Sequence, residues 1–114
     1  LCEIFRNLNK KYFGDEVIID PQIDMEWSRI PHFYNSFYVY KYATGFSAAT
    51  SLSSQILSEG SPAVERYINF LKSGCSDYPL ELLKKAGVDL SVPKPVQDAL
   101  NVFEATLDQL EEIL

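Results

Sequence analysis

The sequence predicts an all-α fold of about five helices, and three observations support this class. Apolar residues recur at steps of three and four through most of the 114 residues, which is the spacing of one helical face. Glycines and prolines separate these periodic segments and stand where helices end or begin. The β-branched run at residues 17–19 is bounded by acidic residues and a proline, so we interpret it as a connection and not as a strand.

The first predicted helix covers residues 1–13, whose apolar side chains fall on one helical face. Gly14 supplies its end, because glycine readily adopts the left-handed backbone that terminates a helix. Residues 24–29 are expected to add a turn of helix. Pro31 breaks that turn, since the residue before a proline is disfavoured in helical geometry.

A long second helix is predicted next, with Asn35 or Ser36 as its N-cap. Gly60 is expected to end this helix. A third helix then opens at Ser61 and Pro62, where a serine cap precedes a proline at the first helical position.

The last part of the chain predicts the remaining helices in the same way. The third helix ends at Gly74, and a short fourth helix over residues 79–86 is closed by Gly87. After a linker at residues 92–95, the apolar residues of 96–114 follow steps of four and three, which indicates an amphipathic helix with an acidic solvent face.

Charge and composition exclude several classes of partner. The formal net charge is −6 and the ten Lys and Arg residues are scattered, so neither nucleic acid nor an anionic membrane is expected to bind. No segment approaches the roughly 20 apolar residues that a membrane span needs. Cys2 and Cys75 lack the spacing of a metal or redox motif, so we expect free thiols in the cytoplasm, although one disulfide between them stays open.

The beginning of the chain carries no initiator methionine and no leader with a cleavage site. We therefore expect these residues to be a piece of a longer protein. A core that the piece shares with the rest of that protein is part of the same expectation.

Aromatic residues with polar tips are concentrated in residues 30–45, where His32 stands within ten residues of four of the seven tyrosines. A buried phenol must find a hydrogen-bond partner for its hydroxyl, an obligation that phenylalanine does not carry. Either a polar network or a bound ligand is expected to use these hydroxyls.

The catalytic motifs of common hydrolases are missing. The chain has one histidine and neither HExxH nor GxSxG, so it cannot assemble an ordinary zinc site by itself. Tyr38 and Tyr42 are four residues apart on the predicted long helix and should share one face, with Tyr34 and His32 just before it. On this pattern alone, a tyrosine pair in a core and a structural or surface role for His32 are favoured.

The same residues resemble the C-terminal signature of the oligoendopeptidase F family, bacterial members of the thimet oligopeptidase superfamily of zinc metallopeptidases. The resemblance rests on residues 26–45, Glu-Trp-Ser-Arg-Ile-Pro-His-Phe-Tyr-Asn-Ser-Phe-Tyr-Val-Tyr-Lys-Tyr-Ala-Thr-Gly. Weaker similarities lie, in order, at residues 8–14, 70–74, 78–79 and 84–89. Together they cover nearly the whole chain.

The resemblance implies a zinc-dependent oligopeptidase that hydrolyses short peptides. In that family an HExxH helix and a later glutamate hold the zinc, and a C-terminal histidine and tyrosines bind the substrate and stabilise the oxyanion. His32 matches that histidine, and Tyr38 and Tyr42 match the tyrosines. Tyr34 is a further substrate-binding candidate, because the thimet-type relatives have a glycine-rich stretch where this chain has residues 33–36.

The resemblance also implies what these residues lack. Residues 1–114 correspond to the C-terminal helical part of the catalytic region, without HExxH and without the third ligand. Zinc is expected to bind in the full-length enzyme, and this segment alone is not expected to bind it as the full-length enzyme does. The isolated segment should therefore be inactive, and its partner is the upstream part of the same polypeptide. The alternative from another class is a non-catalytic all-α interaction module whose acidic surface meets a basic partner.

Overall fold

The computed structural model describes all 114 residues and is all-α, with five α-helices, two 3₁₀ helices and no β-strand, which confirms the predicted fold class. The helices form two compact regions, a first region of Leu1–Val39 and a second region of Tyr40–Leu114. None of the helices is both long enough and apolar enough to span a bilayer. The α-helices are α1 Cys2–Phe13, α2 Tyr40–Glu59, α3 Ser61–Ser73, α4 Pro79–Lys85 and α5 Lys94–Glu111, and the 3₁₀ helices are Pro21–Arg29 and Pro31–Tyr34.

The first region is built on α1 and the first 3₁₀ helix, which pack against each other. Gly14 ends α1 with φ 74° and donates its N–H to the carbonyl of Lys10, as predicted. No residue of α1 or of either 3₁₀ helix is fully buried. The guanidinium Nε of Arg6 lies 2.8 Å from the Asp24 carboxylate, so a half-buried ion pair joins the two elements.

The first 3₁₀ helix begins earlier than the turn predicted at residues 24–29. Asp20 accepts a hydrogen bond of 2.7 Å from the backbone N–H of Gln22, and Pro21 occupies the first turn, where its missing N–H has no cost. Ile30 has extended backbone angles, φ −89° and ψ 103°, which confirms the break before Pro31. The second 3₁₀ helix, Pro31–Tyr34, follows at once.

The start of α2 differs from the prediction. The helix begins at Tyr40 and not after a cap at Asn35 or Ser36. The physical reason is Phe37, whose φ of 61° is left-handed and cannot belong to a right-handed helix. Tyr38 therefore precedes the helix.

The other helix ends are close to their predicted places, with two corrections. Gly60, and not Ser61, is the N-cap of α3, with Pro62 in the first turn. Helix α5 begins at Lys94, so the residues predicted as the end of a linker form its first turn, with Pro95 at a position that needs no N–H partner.

The second region has a core of mostly small side chains. Helix α2 packs against α3 and α5, and α3 packs against α4. Small side chains at these contacts let helix backbones approach closely. The buried residues are Ser47, Ala48, Ser51, Ala63, Leu82, Ala86, Val88, Pro95 and Ala99.

A polar network around Gln55 joins three parts of the second region. The Gln55 amide donates to the carbonyl of Gly87 at 2.9 Å and accepts from Arg66 at 3.1 Å. Arg66 also pairs with Glu59 at 2.7 Å. Gly87 has φ 99°, and a Cβ built there would overlap the Gln55 side-chain oxygen. The positive φ therefore favours glycine at this position, and a larger residue would also displace the Gln55 side chain.

Candidate active-site segment

His32 and Tyr38 are brought together by two consecutive turns. The backbone N–H of Asn35 donates to the carbonyl of His32 at 3.3 Å, and the N–H of Tyr38 donates to the carbonyl of Asn35 at 3.2 Å. These turns carry the chain back over itself, so the imidazole and phenol ring centroids are 5.1 Å apart with an interplanar angle of 40°. Two side chains that the sequence places six residues apart therefore share one site.

Phe37 makes the second turn possible. It is the third residue of the turn that Asn35 and Tyr38 close, the position that needs a positive φ in a type II turn and is normally taken by glycine or asparagine. No other non-glycine residue in the chain has a positive φ. Such a conformation costs a bulky residue about 1–3 kcal/mol. No sequence pattern indicated a role for Phe37.

The chemistry of the His32 and Tyr38 pair is hydrogen-bond donation. An imidazole and a phenol both donate at neutral pH, and donors aimed at an oxygen that becomes negatively charged stabilise that charge. His32 is exposed and Tyr38 is half-buried. The His32 side chain is therefore accessible to solvent, and that of Tyr38 is partly so.

Tyr34 has a different environment from the one expected for a substrate-binding tyrosine. Its hydroxyl donates to the backbone carbonyl of Ser28 at 2.6 Å. This bond connects the end of the first 3₁₀ helix to the end of the second, which carries His32, across the Pro31 break. Its ring is 68% exposed. In this arrangement the Tyr34 hydroxyl holds the backbone that bears His32.

Tyr42 lies in the second region, on the first turns of α2, with 62% of its surface exposed. The prediction that Tyr38 and Tyr42 share one helical face is wrong, because only Tyr42 belongs to the helix. Burial in a core does not describe Tyr42 or Tyr34 in this chain, since both are exposed.

An apolar groove of about 300 Å³ lies in the first region beside the helix that carries His32. One wall includes Trp27, whose indole Nε1 is buried and has no hydrogen-bond partner. The lining residues are Leu1, Ile4, Phe5, Leu8, Trp27, Phe33 and Tyr34.

The residues of this chain do not fit a zinc site. No group of three or more His, Cys, Asp or Glu side chains lies close enough to hold a metal ion. The single histidine is His32, which contacts an aromatic ring and not a set of ligands. Both cysteines are free thiols, and Cys75 is exposed.

Comparison with known proteins decides the family. The model of peptidase family M3 matches residues 1–102. The chain belongs to this family. The M3 chain is also similar to bacterial oligopeptidases: it is 60% identical over 114 residues to the oligopeptidase PepF of Bacillus subtilis and 45% identical over 113 residues to an oligoendopeptidase F homolog of Borreliella burgdorferi. The resemblance seen in residues 26–45 is thereby confirmed.

A solved structure agrees with the helical architecture of this M3 chain. The crystal structure of oligoendopeptidase-F from Enterococcus faecium matches 98% of the chain with a TM-score of 0.85 and 49% sequence identity. The match covers 22% of that protein, and the chain spans 17% of the Bacillus subtilis relative and 19% of the Borreliella burgdorferi relative. The chain thus corresponds to about a fifth of the length of these proteins.

Proposed function

We propose that this chain is the C-terminal, substrate-binding and oxyanion-stabilising part of a longer zinc oligopeptidase that hydrolyses short peptides. The observation that carries the proposal is the pair of His32 and Tyr38, two hydrogen-bonding side chains whose ring centroids are held 5.1 Å apart by consecutive turns. Membership of peptidase family M3 supports a peptide bond as the group on which they act.

In the proposed site, residues of this chain position the substrate and stabilise its oxyanion, and the metal chemistry comes from residues outside 1–114. His32 and Tyr38 would donate hydrogen bonds to the substrate carbonyl oxygen as negative charge develops on it. Tyr42, in the second region, stays a candidate donor through its match to the tyrosines of the family. Zinc would activate the attacking water and would be held by ligands outside residues 1–114, because this chain has no suitable set.

The exposed apolar surface supports a partner within the same polypeptide. Leu100, Phe103 and Leu110 on α5 are 56%, 66% and 50% exposed. On α1, Ile4 and Leu8 are 61% and 46% exposed. Apolar surface at this density is typical of a segment that is covered by another part of its protein. The rest of an oligopeptidase, about four-fifths of the length of the relatives, is the partner we propose.

The decisive experiment measures peptide hydrolysis by the full-length protein. Replacement of Tyr38 or Tyr42 by phenylalanine removes one hydroxyl and little volume, so we expect turnover to fall on the order of a hundredfold or more with little change in thermal stability. Tyr12→Phe is the matched control: Tyr12 lies on α1, is 77% exposed, and should leave turnover unchanged.

Two results would contradict the proposal. Unchanged turnover in both variants would assign Tyr38 and Tyr42 a structural role. Peptide hydrolysis by the purified 114-residue chain alone would show that no upstream metal site is required.

The second candidate function is a non-catalytic interaction module. The same exposed apolar residues on α5 favour it, because they would also bind a separate protein. The acidic surface of the chain would suit a basic partner. The coding sequence upstream of Leu1 distinguishes the two. An in-frame HExxH motif there would exclude the module, and a start codon directly before Leu1 would exclude the peptidase segment.

A further inference from the structure

Phe37 combines two features that folding alone does not explain. Its φ of 61° is a left-handed conformation that is unfavourable for a phenylalanine and easy for glycine or asparagine. Its side chain is 81% exposed, so burial of the ring contributes little within the described chain. A strained residue whose side chain does not pack points to a function for that side chain.

The place of Phe37 indicates which function. It directly precedes Tyr38, whose ring lies 5.1 Å from that of His32, and it belongs to the turn that brings this pair together. An exposed phenyl ring at this position carries no charge and makes no ordinary hydrogen bond, so its main contribution to binding is an apolar contact. A ligand bound at His32 and Tyr38 would place its neighbouring groups against this ring.

We propose that Phe37 is a specificity-determining residue that contacts an apolar side chain of the peptide next to the scissile bond. This inference rests on the proposed function, because it requires a peptide to bind at His32 and Tyr38. It predicts that the enzyme prefers peptides with an aromatic or aliphatic residue beside the cleaved bond, and that removal of the ring abolishes this preference.

The test uses the full-length protein and pairs of internally quenched peptides that carry phenylalanine or serine on either side of the scissile bond. Phe37→Asn removes the ring and fits the left-handed backbone. We expect it to lower the ratio of kcat/KM for the phenylalanine peptide to that for the serine peptide by about tenfold or more, as is typical of a lost apolar contact.

Thermal stability separates a substrate contact from a packing role. Because asparagine relieves the backbone strain, the Phe37→Asn protein should unfold at the same temperature as the wild type or at a higher one. Phe37→Leu is the matched control, since it keeps both the strain and an apolar side chain. It should retain most of the preference.

Each outcome has one meaning. A lower unfolding temperature for Phe37→Asn would show that the ring packs inside the full-length protein, and equal losses for both peptides would show that it does not contact the varied side chain. Either result overturns the inference while the peptidase proposal stands. If the wild-type protein hydrolyses neither peptide nor any other short peptide, the proposed function itself fails, and the inference fails with it.

Discussion

The two regions of this chain are stabilised in different ways. The second region buries alanines, serines, a leucine and a valine between four helices, whereas the helices of the first region bury no residue fully. The first region depends instead on polar contacts such as the Arg6 to Asp24 ion pair and the bond from Tyr34 to the Ser28 carbonyl. The candidate donors His32 and Tyr38 belong to the region that has less packing of its own.

This difference shows which kind of contact sets the geometry of each region. Local packing that is weak permits local opening, and functional segments are often drawn from this end of the stability range. In the first region, turns and single hydrogen bonds set the geometry of the His32 site. In the second region, helix packing and the Gln55 network set the geometry, and the backbone of Gly87 at φ 99° is part of that network. Substitutions of one or two atoms in each region should therefore have different costs.

The largest effect is expected at the tight contact of the second region. Gly87→Ala forces a non-glycine residue to φ 99° and places a Cβ against the Gln55 side-chain oxygen. We expect a loss of about 1–3 kcal/mol in the free energy of unfolding, because the new residue is strained and Gln55 must leave its partners. Urea unfolding of the 114-residue chain, followed by circular dichroism, measures this.

Gly45→Ala is the matched control for that substitution. Gly45 lies within α2, and a Cβ there meets no atom within 4 Å. An alanine in a helix interior is favoured over glycine, so the variant should gain about 0.5–1 kcal/mol. Equal effects of the two alanines would mean that neither the backbone of Gly87 nor its contact with Gln55 contributes to the stability of the second region.

A smaller effect is expected at the polar contact of the first region. Tyr34→Phe deletes the hydroxyl that bonds the Ser28 carbonyl at 2.6 Å, and should lower the free energy of unfolding by about 0.5–1.5 kcal/mol. Tyr12→Phe serves as the reference, because Tyr12 is 77% exposed. If both variants unfold alike, the bond between the two 3₁₀ helices does not stabilise the first region.

The smallest effect is expected at a surface carboxylate of the second region. The hydrogen bond from Lys85, and after it the one from the Tyr78 N–H, hold the pKa of Asp77 below its ordinary value of 3.8. A carboxyl whose pKa is lowered by folding adds stability above that ordinary value, and this contribution is lost as the pH falls through the lowered pKa.

Asp77→Asn checks the sign of that contribution. The wild type should unfold at a slightly higher temperature than the variant at neutral pH, and the difference should shrink below the ordinary pKa and vanish below the lowered one. A difference that does not change with pH would show that the Asp77 charge is not its source.

Much of the fold was predictable because single residue types set it. Gly14, Gly60 and Gly87 adopt positive φ values where helices were predicted to end or adjoin, and Pro31 interrupts the chain where its steric effect requires. The fold class followed from apolar spacing, which depends on which side chains can share a helical face. These signals are local and can be seen in a sequence without its partners.

The candidate site was predicted less completely, and two contacts explain why. The start of α2 was placed too early because Asn35 and Ser36 have strong capping preferences, while the left-handed backbone of Phe37 is rare for its residue type and leaves no trace in a pattern. The acceptor of the Tyr34 hydroxyl is a backbone carbonyl, which every residue possesses. His32 and Tyr38 were each named as candidates from the sequence, but the turns that bring their rings together were not foreseen.

The Gln55 network restricts one position of the chain to a single kind of side chain. Arg66 can only donate hydrogen bonds and the Gly87 carbonyl can only accept them, so the side chain between them must accept at one end and donate at the other. A carboxamide has this polarity, and its orientation is determined by its neighbours. Glutamate has the same shape, but its carboxylate would face the Gly87 carbonyl with a second acceptor. The exchange of one nitrogen for an oxygen would therefore remove this hydrogen bond.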